Sequence, residues 1–334
     1  MDGATDRVGA RTVPPLLDVR GLKKHFPIHG GVLGGVTARV HAVDGVSFSI
    51  AKGETLSLVG ESGCGKSTVG RLVLRLIAPT AGEVLLDGER IDTLPAARLR
   101  MVRSRMQVVF QDPFSSLNPR LRVREILAEP IRNFGLARGR ADLEKRIFAL
   151  MDKVRLPREA IDRLPHEFSG GQRQRIGIAR ALATDADLIV CDEAVSALDV
   201  SVKAQIVNLL ADLQAELGLS LLFISHDLAI VEHMTHRVAV MYLGRIVEIA
   251  PRAALFARPA HPYTRALLSA VPVPDPTALR RHVPLTGDVP SPIHPPAGCH
   301  FHTRCPHAFD RCRSEAPVLS PRGPDHMAAC HLAE

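Results

Sequence analysis

Residues 60–68 read Gly60-Glu61-Ser62-Gly63-Cys64-Gly65-Lys66-Ser67-Thr68. The stretch fits G-x-x-x-x-G-K-[ST], a loop whose backbone amides wrap a phosphate. That pattern carries a mechanism only between a strand and a helix, and its flanks supply both. Thr55–Val59 is an apolar run leading in. Val69, Leu72, Val73, Leu76 and Ile77 recur at helical spacing leading out. A helix is therefore expected over 66–77, ended by Pro79. In this setting the N–H groups of residues 61–66, including those of Ser62, Gly63 and Cys64, cradle a β-phosphate at the helix N-terminus. Lys66 places a point charge at the β- and γ-phosphates, and Ser67, next to Thr68, offers its hydroxyl to Mg²⁺. Glycines at 60, 63 and 65 let the backbone approach its ligand.

Two further segments extend the reading. Phe168-Ser169-Gly170-Gly171-Gln172-Arg173-Gln174-Arg175 opens a helix running to about Ala183, and its first amides form a second anion site. Leu188-Ile189-Val190-Cys191-Asp192-Glu193 is a buried strand ending in two acids. A carboxylate at the end of such a strand is costly unless it meets a cation, so Asp192 is expected to hold Mg²⁺. Glu193 is placed to act as general base on a water attacking the γ-phosphate. A third apolar run, Leu219–Ile224, leads into Ser225-His226-Asp227.

Along the rest of the chain, Leu16–Arg20, Val46–Ile50 and Gln107–Phe110 read as strands, and residues 112–182 as mostly helical. Val202–Leu217 reads as a helix closed by Gly218, and Val238–Tyr242 with Arg245–Ile249 as a terminal strand pair. Strands alternating with helices, with fully apolar central strands, predict an α/β fold on a parallel sheet with a helical insertion. Beyond residue 255 the chain turns rich in Pro, His and Arg and reads as a separate, loop-rich appendage.

Bulk composition narrows the classes. The chain has 334 residues, no Trp and two Tyr, so a base-stacking nucleic-acid surface has little material and no nucleic-acid partner is expected. No apolar run is long enough to span a bilayer, and residues 1–15, expected to be a flexible N-terminus, lack the pattern of a secretory signal. The expected location is the cytosol, with reduced cysteines. The net charge of +7 gathers at Arg98–Arg105 and Arg120–Arg124, a solvated basic face that would also suit an anionic inner leaflet.

Together the three nucleotide segments resemble the ATP-binding-cassette ATPases over roughly residues 16–255, with the helical subdomain at about 112–182. The resemblance implies a phosphate-loop NTPase core with a β subdomain, and two ATP sandwiched in a head-to-tail pair of chains. It implies that Ser169-Gly170-Gly171-Gln172 faces the γ-phosphate held by the other chain and that His226 touches the γ-phosphate. It also implies that Gln111 meets both Mg²⁺ and the transmembrane partner, that Asp199 lies in the inter-subunit loop, and that Phe26 stacks on adenine, although a core role for Phe26 stays open. Ala194 stands where the family usually carries Pro, which removes a φ restraint on the turn toward Asp199.

Four more segments sharpen the match: residues 110–119 (FQDPFSSLNP), residues 196–205 (SALDVSVKAQ), His261-Pro262-Tyr263-Thr264 with Leu267-Leu268, and Pro290-Ser291-Pro292 running into Gly298-Cys299. With these, the chain resembles the ATP-binding subunits of bacterial oligopeptide/dipeptide importers, of the DppF/OppF type, over nearly its whole length. The resemblance implies an ATPase peripheral to the cytoplasmic face of the inner membrane. Its implied partners are a second homologous ATPase chain, two permease chains and, indirectly, an extracytoplasmic peptide-binding protein. Importers of nickel chelates or glutathione fit the same pattern. A cassette protein acting on ribosomes or DNA is the contrasting class, but it would carry two cassettes or a long coiled-coil insertion.

Cys299, Cys305, Cys312 and Cys330 are spaced C-x5-C-x6-C-x17-C. Four thiols in a loop-rich segment point to metal before disulfide, and a four-thiolate site holds either zinc or an iron–sulfur cluster. Nearby histidines keep zinc open. The family resemblance implies a [4Fe–4S] cluster. Cys64 and Cys191 are read as non-ligands, with alkylation of Cys64 expected to block ATP.

Overall fold

The run Thr55–Val59 becomes a strand buried on both faces at the centre of an eight-stranded sheet. The computed structural model describes residues 14–30, 35–112, 116–271, 285 and 287–333. The first strands are β1 (Leu17–Gly30), β2 (Gly35–Ile50), β3 (Thr55–Val59), β4 (Ala81–Leu86), β5 (Glu89–Arg90) and β6 (Met106–Val109). They are followed by β7 (Leu188–Asp192), β8 (Ser220–Ile224), β9 (Arg237–Tyr242), β10 (Arg245–Pro251), β11 (Ser320–Gly323) and β12 (His326–Ala328). The large sheet runs β11-β12-β10-β9-β3-β8-β7-β6. Its members β9, β3, β8, β7 and β6 pair in parallel. Parallel strands are covered on both faces, which is why they read as unbroken apolar runs. They also deliver their C-terminal ends, and the loops that follow, to one edge of the sheet.

A second, antiparallel sheet has the order β2-β1-β4-β5. Its hairpin is much longer than the short strands read at 16–20 and 46–50, and β4 and β5 had no counterpart in the sequence reading. The cause is irregular pairing. The β1–β2 register shifts four times, first between Val19 and Leu22, and each bulge breaks the alternation that marks a strand.

The helices used below are α1 (Lys66–Val73), α2 (Val123–Asn133), α3 (Arg140–Lys153), α4 (Gly170–Leu182), α5 (Val200–Leu217), α6 (Leu228–Met234) and α7 (Pro262–Ser269). α1 stops four residues before the expected end. Arg75 takes a left-handed φ of 55°, the Leu76 amide donates to the Arg71 carbonyl and the Arg75 amide to that of Leu72. This is a Schellman closure with arginine at the position glycine usually fills. The apolar spacing misled because Leu76 is 48% exposed. α2, α3 and α4 form the helical insertion around Leu127, Ile131, Ile147, Met151 and Ile176.

The segment beyond residue 255 does not stand apart. β12 pairs with β10 through Glu248↔Ala328 and Ile249↔Met327, extending the main sheet past the expected terminal pair. Tyr263 on α7 and Phe301 are fully buried in the main core beside Tyr242, with ring centroids 4.8 Å and 5.2 Å from that of Tyr242. Glu248 is wholly buried and accepts hydrogen bonds from the Ala260 amide at 2.8 Å and the His261 amide at 2.9 Å. His326 Nε2 lies 2.7 Å from the same carboxylate. A buried carboxylate so satisfied keys the C-terminal segment to the core.

Candidate functional site

The loop leaving β3 is held so tightly that two of its glycines admit no side chain. A Cβ on Gly60 would lie 2.2 Å from the Met241 carbonyl oxygen, and one on Gly65 2.1 Å from that of Ala42. Gly65 also has φ of 106° and forms the N-cap of α1. Lys66 is 4% exposed, and its ammonium donates to the carbonyls of Gly60 at 2.8 Å and Glu61 at 2.9 Å. Its charge thus lies within the loop that carries the amides. Ser62 and Gly63 are exposed at the loop crest, and Thr68 is half-buried on α1.

Glu61 departs from expectation. The loop pattern places its amide among the phosphate donors, yet in the structure it donates to the Tyr263 hydroxyl at 2.8 Å. Its carboxylate receives both terminal nitrogens of Arg304, at 2.6 Å and 3.0 Å. Neither partner was assigned a role from sequence, although Tyr263 is one of only two tyrosines and sits in the quoted His261–Thr264 segment. Cys64 is buried, and burial pushes its thiol pKa up, which disfavours the reactive thiolate at this position.

Asp192 ends β7, and its carboxylate meets α1: Ser67 Oγ donates to Asp192 Oδ1 at 2.6 Å. Burial holds the Asp192 pKa above the usual carboxylate range. A polar pair of this kind, one hydroxyl and one partly desolvated carboxylate, suits a small hard cation. Glu193 follows with a left-handed φ of 48°, and its amide donates to the Ile224 carbonyl at the end of β8. That turn swings its carboxylate to within 3.4 Å of His226 Nδ1. The Glu193 side chain is 16% exposed and that of His226 is 55% exposed. The ends of β3, β7 and β8 therefore bring Lys66, Ser67, Asp192, Glu193 and His226 to one edge. Where Ala194 replaces proline, the turn is pinned by Ser196, whose amide and hydroxyl both donate to the Glu193 carbonyl at 3.0 Å.

The Ser169–Gln172 segment forms a second unit. Ser169 caps α4 by accepting from the Gln172 amide, and Gln172 Oε1 accepts from the Ser169 amide. This reciprocal box fixes where the helix begins. A Cβ on Gly171 would fall 2.4 Å from a Val202 methyl carbon, so α4 packs directly on α5 just past Asp199. Asp199 is exposed at the N-cap of α5, and Val200 beside it is 84% exposed. Among the described residues no hydrogen bond or ion pair joins Ser169–Gln172 to the 60–68 loop. Gln111 lies exposed just past β6, and Gln174 of α4 donates to the neighbouring Phe110 carbonyl at 3.3 Å. Phe26 on β1 is 37% exposed, with the Lys24 ammonium 5.0 Å from its ring centre. It is not a core residue, and one face of its ring carries the Lys24 ammonium.

Cys299, Cys305, Cys312 and Cys330 are unpaired thiols in one neighbourhood. Burial, then the nearby cysteines, raises the pKa of Cys299 to about 11, and burial raises those of Cys305 and Cys330. Among the described residues, three candidate ligand atoms come within 4.8 Å of one another only at His25, His41 and Asp44. There Asp44 is already engaged by Arg245 at 2.7 Å.

The ABC transporter family matches residues 43–196, and the oligopeptide/dipeptide transporter C-terminal region matches residues 247–312. The chain is 58% identical to a probable peptide ABC transporter ATP-binding protein of Sinorhizobium fredii, over 95% of this chain and 90% of that one. It is 51% identical to the oligopeptide transport ATP-binding protein AppF of Bacillus subtilis, over 95% and 97%. Among solved structures it resembles the ATP-binding cassette MJ0796, a dimer bound to ADP and Pi, with TM-score 0.61 and 27% identity over 71% of this chain and 98% of that one. The loop at 60–68, the acids ending β7 and the helix opening at Ser169 thus sit in the fold the relatives share, and the chain belongs to the ATP-binding proteins of ABC transporters, in the branch that carries the oligopeptide/dipeptide transporter C-terminal region.

Proposed function

We propose that this ATPase energises uptake of di- and oligopeptides, working as one of a pair of cassette chains on the cytoplasmic face of a bacterial inner membrane. The observation that carries the reading is the separation of two half-sites. One edge holds Lys66, Ser67, Asp192, Glu193 and His226, while Ser169–Gln172 stands apart beside the exposed Asp199 and Val200. A second homologous chain laid head to tail brings each signature segment to the other's phosphate loop. Two permease chains would then receive the motion through the exposed Gln111, and a peptide-binding protein would deliver the solute. Residues 16–255 form the ATP-binding unit and 256–334 the branch-specific extension.

In the reaction ATP + H₂O → ADP + phosphate, loop amides from Ser62 to Lys66 hold the β-phosphate and Lys66 offsets the β/γ charge. Ser67, Asp192 and Gln111 would hold Mg²⁺, which when bound neutralises charge on the β- and γ-oxygens. Glu193 accepts the proton of the attacking water. His226 keeps the Glu193 carboxylate aimed and contacts the γ-phosphate. Phe26 stacks on adenine. Ser169, Gly170, Gly171, Gln172 and Asp199 complete the partner's site.

For the cysteine quartet, four free thiols in which burial and then the other three raise the pKa of Cys299, the family resemblance implies a [4Fe–4S] cluster, with zinc the alternative. Four thiols with no carboxylate among them suit either. When bound, the group would staple a loop-rich segment.

Transport by the complex reconstituted in vesicles, with its permeases and binding protein, tests the solute. ATP-dependent accumulation of labelled di- or oligopeptides supports the assignment. Accumulation of a nickel chelate or glutathione without peptides overturns it.

A further inference from the structure

Glu61, the second residue of the phosphate loop, is gripped at every polar group it has. Its amide donates to the Tyr263 hydroxyl and its carbonyl accepts from the Lys66 ammonium. Its carboxylate takes a two-point ion pair from Arg304. Two of these three partners come from beyond residue 255. Arg304 is 6% exposed and its guanidinium carbon lies 5.9 Å from the Tyr242 ring centre, so the arginine half of the pair is removed from water while Glu61 stays partly exposed. A bidentate arginine–carboxylate pair in such a setting is short and directional.

Arg304 is set by the cysteine segment itself. Its amide donates to the Phe301 carbonyl, the Cys299 amide to the Cys312 carbonyl, and the Cys305 amide to that of His302. Phe301 anchors the turn in the core against Tyr242 and Tyr263. The turn that places the guanidinium is therefore the turn bounded by Cys299 and Cys305.

We infer that Arg304 and Tyr263 are positioning residues for the nucleotide loop, through which the cysteine-bearing segment sets the affinity for ATP. Two effects combine. The grip orders the loop before ligand arrives, which removes an ordering cost from binding. It also neutralises and ties back a carboxylate that would otherwise repel a triphosphate beside it. The inference rests on the reading that residues 60–68 bind ATP.

The test is titration of the full chain with a fluorescent N-methylanthraniloyl ATP, in variants checked for an unchanged far-UV spectrum. Arg304→Met is expected to weaken binding about tenfold, because it frees the half-buried Glu61 carboxylate from its only ion-pair partner among the described residues, beside the triphosphate. Adding Glu61→Gln to that variant should recover most of the loss, since the repelling charge is then gone. A merely structural role for Arg304 predicts no such recovery. Tyr263→Phe, which keeps the ring, should weaken binding several-fold and serves if Arg304→Met does not fold. Cys305→Ser should weaken binding in the wild-type background but not further in Arg304→Met. Wild-type affinity in folded Arg304→Met or Tyr263→Phe, no recovery with Glu61→Gln, or an undiminished Cys305→Ser effect without Arg304 would each overturn the inference. Failure of the wild-type chain to bind the probe would instead overturn the reading of the loop.

Discussion

Ser67 and Asp192, 125 residues apart in sequence, share a hydrogen bond of 2.6 Å that ties the first turn of α1 to the end of β7. The bond joins the two groups assigned to Mg²⁺ before any cation is considered. It also explains how a carboxylate is tolerated in that position, since burial otherwise opposes its charge.

This arrangement sets function against stability at Asp192. Its folded-state pKa lies above the unfolded value, so the ionised form costs stability once pH exceeds both, and the cost disappears as pH falls below them. Asp192→Asn keeps an acceptor for Ser67 and removes the charge. The variant is expected to melt about 1–3 °C higher than wild type at neutral pH and to lose Mg²⁺-dependent hydrolysis. A lower melting temperature, or retained Mg²⁺-dependent turnover, would be incompatible with the role given to Asp192.

Lys66 lies buried with its ammonium among the loop carbonyls, so its loss removes a desolvated charge from the phosphate site. Lys66→Ala should weaken binding of the fluorescent ATP analogue by about one to two orders of magnitude. Unchanged affinity would remove the loop from the nucleotide site.

The cysteine quartet makes a compositional prediction. Anaerobically purified chain should contain about four iron and four acid-labile sulfide, with a broad absorption near ~400 nm. Stoichiometric zinc without iron, or no metal in folded protein, would contradict the cluster.

The strands and the helix that frame the candidate site are legible in the sequence because they are local. Strand, loop and helix around Lys66, and the apolar strand ending at Asp192, announce themselves within a dozen residues each. What escaped was long-range or irregular. Arg304 and Glu61 are separated by 243 residues, and no local pattern marks either as half of a pair. The bulged hairpin of β1 and β2 hid its length because each register shift resets the alternation. α1 ends before the apolar spacing does, because that spacing continues past Val73 while the backbone turns left-handed at Arg75. The extension read as an appendage because its anchors, Tyr263, Phe301 and Ala328, are single residues scattered among prolines and histidines.

The most direct measurement of the central claim is steady-state ATP hydrolysis by the assembled complex, carrying either wild-type chain or Glu193→Gln, with and without peptide-loaded binding protein. Glu193 sits 3.4 Å from His226 with its carboxylate aimed by the turn at the end of β7. The account predicts stimulation by the loaded binding protein in the wild type. It predicts that Glu193→Gln retains ATP binding but loses at least about a hundredfold in turnover. Wild-type turnover in Glu193→Gln, or a wild-type complex indifferent to peptide, would contradict it.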